Sequence, residues 1–96
     1  PPAEAMGPQL SRSLLELLHA QTQRLQTAND ELELARQSLT ERKVVERAKL
    51  ILMQQLKLSE SEAHARLQQT AMDRSERLAA VAQRVLDATH QQRAQR

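Results

Sequence analysis

Residues Glu41-Arg42-Lys43-Val44-Val45-Glu46-Arg47-Ala48-Lys49-Leu50-Ile51-Leu52-Met53, ERKVVERAKLILM in one-letter code, decide the fold. Val44, Val45, Ala48, Ile51 and Leu52 recur at the spacing of one buried helical face. Lys43, Arg47 and Lys49 lie towards the other side, so the stretch reads as a helix with an apolar and a basic face. No Gly or Pro separates it from the leucines upstream. The sequence therefore predicts a dimerising helix that runs directly into a basic helical domain.

Upstream, Leu18, Leu25, Leu32 and Leu39 fall seven residues apart, a leucine at every d position of four heptads. The a positions are Leu15, Thr22, Asn29 and Arg36, a weak set, with Leu14, Ala28 and Ala35 flanking at g. An Asn at a favours a parallel two-stranded coil of fixed register and costs stability. The expectation is a marginal parallel homodimer seamed by Leu18, Leu25, Asn29, Leu32 and Leu39. Packing of these leucines on another domain, or in an antiparallel hairpin, is the alternative. The uninterrupted helix from about Ser13 to Leu56 would extend roughly 65 Å at ~1.5 Å per residue. Before it, all three prolines and the only glycine fall within residues 1–9, so residues 1–12 read as a linker or disordered end.

Downstream, the helix is expected to end near Leu56–Leu58. Ser59 and Glu62 then stand at capping-box spacing and open a second helix. Its face carries Ala63, Leu67, Ala71 and Met72, with the core the favoured place for Met72 and stacking on a base its alternative. Asp73 and Glu76 repeat the box spacing, with Ser75 as the other candidate cap, and mark the start of a third helix. Leu78, Val81, Ala82, Val85 and Leu86 give that helix a regular apolar face. The periodicity fades after Ala88. The expected organisation is a linker at 1–12, a coiled coil at 13–40, a three-helix domain at 41–88 and a polar tail at 89–96. The fold class is all-α, and no useful stretch alternates with the period of a strand.

Composition agrees. The 96 residues contain no aromatic side chain, so a core must be built from thin aliphatic groups and a lone monomer buries little; self-association is the usual remedy. Cysteine is absent, which excludes disulfides and thiolate metal sites. No apolar run approaches the ~20 residues of a membrane span, and no leader pattern is present. The chain opens Pro1-Pro2 rather than on Met, as expected of a fragment lacking its N-terminal portion. A soluble cytoplasmic protein is the expectation. The formal charge of +2 is unevenly spread. Residues 1–39 hold three Arg against five acids, and residues 40–96 hold eleven Lys/Arg against seven acids. A basic C-terminal half raises the prior for an anionic partner.

Enzyme chemistry finds no footing. His19, His64 and His90 sit on separate elements without metal-ligand spacing, no Ser–His–acid pattern is present, and there is no Gly-rich phosphate loop. Glu60 and Glu62 have the simpler task of complementing a helix N-terminus. The sequence predicts a non-enzymatic protein with no metal, no cofactor and no small-molecule ligand on this segment.

The run from Glu41 to Leu86 resembles the ANTAR domain, the RNA-binding antitermination module of many bacterial regulators. The resemblance is carried by ERKVVERAK and ILM (Glu41 to Met53), Leu58-Ser59, Glu62-Ala63, Leu67, Ala71-Met72, Leu78, Val81-Ala82 and Leu86. It covers about half the chain, which looks most like the C-terminus of a nitrate- or nitrite-responsive antiterminator. It implies a three-helix RNA-binding bundle on a dimeric coil, controlled by a sensor domain that precedes it. It also implies a leader-RNA target with two stems bearing six-nucleotide loops, held so that the overlapping terminator hairpin cannot form. The chain departs from the family pattern at Leu50, His64 and Gln68, where the family usually has Gly, a nearby aromatic and often Arg.

Lys43, Arg47, Lys49, Arg74 and Arg77 are the candidate phosphate contacts, because Lys and Arg hold RNA backbones. His64 is a candidate base-stacking group and Gln68 a candidate polar contact. A DNA-binding zipper is the first competitor. It is disfavoured because the basic residues follow the leucines and interleave with an apolar face. A pure scaffolding coil is the second.

Overall fold

The computed structural model describes residues 8–95. Most of the expected N-terminal linker, residues 1–7, lies outside the described residues. Three helices follow in order: α1 (Pro8–Leu56), α2 (Glu60–Arg74) and α3 (Leu78–Ala94). No strand occurs among the described residues. The all-α expectation is met, with a first helix of 49 residues. The chain divides into two compact units, residues 1–36 and 37–96, and α1 contributes to both.

The first unit is the N-terminal part of α1. The helix starts at Pro8 rather than Ser11 or Ser13, which costs little because first-turn N–H groups have no intrahelical partner. Ser13 and Thr22 stay within the helix by donating their hydroxyls to the carbonyls of Gln9 (3.0 Å) and Leu18 (2.9 Å). Gln26 donates to Asp30 one turn on (3.1 Å). None of the described residues of this unit is buried. Leu14, Leu15, Leu17, Leu18, Leu25, Leu32 and Leu34 are all exposed, so this unit builds no core from its own side chains.

The second unit has one. Ala48 of α1, Leu67 and Ala71 of α2, and Val81 and Ala82 of α3 are buried together, with Val44, Val45, Leu52, Leu78 and Val85 packed around them. Ala48, Ala63 and Ala82 are fully buried. Such small residues let helices approach closely, which is how a chain without aromatic rings still closes a core. Met72 is the exception to the predicted face: it is 67% exposed, one position past the α2 stripe that ends at Ala71.

The α1–α2 connection follows the sequence signal. Ser59 accepts the Glu62 N–H (3.1 Å), and Glu62 accepts the Ser59 N–H (3.1 Å), a complete capping box. The second connection differs from expectation. Neither Asp73 nor Ser75 caps α3, whose N-cap is Arg77, without a side-chain capping bond. Ser75 closes α2 instead, in the left-handed region at φ 53°. Its N–H reaches Met72 O (3.2 Å) and the Glu76 N–H reaches Ala71 O (2.9 Å), the two bonds of a Schellman motif. Helix α3 also runs to Ala94, past the fade in apolar periodicity at Ala88.

A non-glycine residue in the left-handed region costs about 1 kcal/mol or more. Ser75→Gly is therefore expected to stabilise this unit by about 1 kcal/mol, seen as a higher urea midpoint at unchanged slope. An unmoved midpoint would mean that Ser75 gains from its side chain what its backbone loses.

Candidate nucleic-acid interface

Three cations of the second unit are neutralised within it. Lys49 is buried, and its Nζ meets Glu46 Oε1 at 3.0 Å and Glu60 Oε1 at 3.2 Å. Its hydrogen bonds to Glu46, then Glu60, hold the ammonium above its ordinary range. Lys49 thereby ties the start of α2 to α1, although its place in the sequence suggested the outer face. Arg77 Nη2 meets Glu41 Oε2 at 2.9 Å, tying the start of α3 to α1, and Arg84 pairs with Glu76. The Arg77 side chain stays well exposed.

Lys43 and Arg47, four apart on α1, are exposed and have no carboxylate partner among the described residues. The same holds for Arg74 in the last turn of α2. It stands three positions before Arg77, across the turn that Ser75 makes.

His64 and Gln68, one turn apart on α2, line a concavity of about 670 Å³ with Lys49, Ser59, Glu60 and Ser61. His64 also borders a second concavity of about 370 Å³ with Arg42 and Arg77. The fold therefore brings His64 and Gln68 together beside the start of α2, sets Arg77 with His64 at the second hollow, leaves Lys43 and Arg47 on α1, and keeps Arg74 out of both hollows. His64 is half-buried, and its Nδ1 is enclosed without a hydrogen-bond partner. Arg42 joins this group without having been picked out from the sequence. Its place beside Glu41 in the deciding stretch was the available signal.

The α2 N-terminus beside these hollows depends on Glu62. Hydrogen bonding from the Ser59 side chain, then from its backbone N–H, holds the Glu62 carboxyl below the usual carboxylate range. A carboxyl lowered by folding stabilises the fold above its unfolded pKa, near 4.3, and that contribution is lost as pH falls through the lower folded value. The melting-temperature gap between the wild type and Glu62→Gln is thus expected to be constant near neutrality and to shrink below about pH 4. A gap independent of pH would mean that the carboxylate charge plays no part in the cap.

No described group of His, Asp and Glu can hold a metal ion. No described helix is long and apolar enough to cross a membrane.

Comparison with known proteins bears on this surface. The ANTAR domain matches residues 33–86, more than half of the chain. The nitrate regulatory protein of Klebsiella oxytoca is 32% identical over 90 residues, which are 90% of this chain and 23% of that protein. The chain thus spans about a quarter of the length of the curated relative it matches. No solved structure matches it.

Proposed function

The chain belongs to the ANTAR domain family of RNA-binding antitermination regulators, and we propose that it acts as a homodimer on a leader RNA with two six-nucleotide-loop stems. Holding both stems keeps the overlapping terminator hairpin from forming, and transcription continues. The carrying observation is that the ANTAR match covers every core residue of the second unit and, with them, Lys43, Arg47 and Arg74, which have no carboxylate partner among the described residues.

In this reading Lys43, Arg47, Arg74 and Arg77 hold phosphates, while His64 and Gln68 face unpaired loop bases. Lys49 fixes the start of α2 through Glu46 and Glu60 rather than reaching the RNA. The exposed leucines of α1 join two copies along Leu18, Leu25, Leu32 and Leu39, with Asn29 setting the register. The relative's name supports a nitrate-linked signal, and its greater length supports a sensor elsewhere in the protein. A cytoplasmic site of action follows from a nascent-transcript target.

The test is transcription of a leader–terminator template in vitro. Added protein is expected to raise read-through, and substitution of the two loops is expected to remove the effect. Equal termination with and without protein would contradict the proposal. Within the surface, Arg74→Gln is expected to weaken RNA binding several-fold, and more than Arg77→Gln, because Arg77 already faces Glu41. Arg74→Gln should keep the wild-type melting curve and Arg77→Gln, which loses only a largely exposed ion pair, should stay folded with a slightly lower one; equal affinity to wild type in both would place the RNA elsewhere.

A further inference from the structure

A third concavity lies between α1 and α3, away from His64. Arg47, Leu50, Ile51 and Gln54 of α1 face Leu86, Thr89, His90 and Arg93 of α3 across about 320 Å³. Its chemistry differs from that of the hollows beside α2. Those carry Glu60, or Glu41 and Glu46, among their walls, whereas no described carboxylate lines this one. Arg47 and Arg93 have no carboxylate partner among the described residues. The floor is apolar, and Leu50 at 56% exposure is left open to solvent. Thr89, His90 and Arg93 lie beyond the span that matches the family, residues 33–86.

From this arrangement we propose that the α1–α3 cleft is an auxiliary site for single-stranded RNA, taking a segment that flanks the stem-loops. The proposal rests on the RNA-binding reading above. Two guanidiniums and an imidazole with no described acid among them favour the phosphodiesters of a polyanion. Leu50, Ile51 and Leu86 offer an apolar floor to one ribose and base. The volume is near the ~300 Å³ lower bound of small-ligand sites, sized for a single nucleotide rather than a helix. Without aromatic rings, stacking falls to the planar groups of Arg47, His90 and Arg93. Helix α3 continues past its last apolar turn far enough to carry His90 and Arg93 to this rim. The Thr89 hydroxyl, donating to Val85 O at 2.9 Å, is satisfied inside that extension.

The test uses the full chain and three probes: the paired hairpins alone, the same hairpins with six unpaired uridines on each side, and hexauridylate alone. For the wild type, the unpaired extensions are expected to raise affinity about tenfold at low salt, as two or three added phosphate contacts would. The salt slope should steepen by about 0.7 for each contact. His90→Gln with Arg93→Gln should abolish that gain and the hexauridylate binding while keeping affinity for the bare hairpins. Circular dichroism should show the double variant folded like the wild type. A gain that survives in the double variant, or extensions that add nothing to the wild type, would overturn the cleft and leave the hairpin reading intact. Absence of hairpin binding by the wild type, with hexauridylate binding that depends on Arg93, would sink the hairpin reading and keep the cleft.

Discussion

Leu25→Ala combined with Leu32→Ala is expected to turn the proposed dimer into a monomer at micromolar concentration. Both leucines are at least half exposed in the single chain, at 66% and 50%, and the unit that holds them buries none of its described residues. A second copy is what would cover them. Burying one leucine contributes about 2 kcal/mol, and a two-fold dimer loses four of them in the double variant. Even with half of that recovered by repacking, the dissociation constant rises by about a thousandfold. The a positions Thr22, Asn29 and Arg36 are poorly placed to compensate. Sedimentation equilibrium reads the outcome directly, and a double variant that stays dimeric would mean that the copies meet along another face.

Leu67→Ala should have the largest effect within the second unit. Leu67 is its largest fully enclosed side chain, and such a truncation costs about 3 kcal/mol through lost transfer energy and an unfilled cavity. A unit of 60 residues holds roughly 3–9 kcal/mol in all. The variant therefore keeps only about 0–6 kcal/mol, and it is expected to melt well below the wild type and to bind RNA more weakly. Conservative replacement by Met should restore most of both. A Leu67→Ala melting curve like that of wild type would mean that the core is held chiefly elsewhere.

Features that depend on near neighbours were legible in the sequence. The Ser59–Glu62 box, the packed faces of Val44, Val45, Ala48 and Leu52 and of Leu78, Val81, Ala82 and Val85, and the unbroken path of α1 all appear where local spacing puts them, while Ile51 and Leu86 of the same faces line a cleft instead. Features decided by distant groups or by rare backbone states were not. Lys49 reads as a surface cation until Glu60, eleven residues on, folds against it. Asp73 and Glu76 have capping-box spacing, yet Ser75 takes the left-handed state that usually belongs to glycine, and the box never forms. Met72 continues an apolar string in sequence but sits one step past the buried stripe. The last turns of α3 lack an apolar face, so periodicity could not reveal them. They bring His90 and Arg93 to a cleft whose opposite wall is about forty residues earlier.

The measurement that tests the central claim most directly is binding of this chain to a leader RNA with two adjacent six-nucleotide loops. A loop-substituted RNA and a matched DNA duplex should be run beside it over a salt series. Tight binding to the first alone is predicted, with a salt slope that counts the phosphates held by the basic surface. Equal binding to all three, or to none, would contradict RNA recognition.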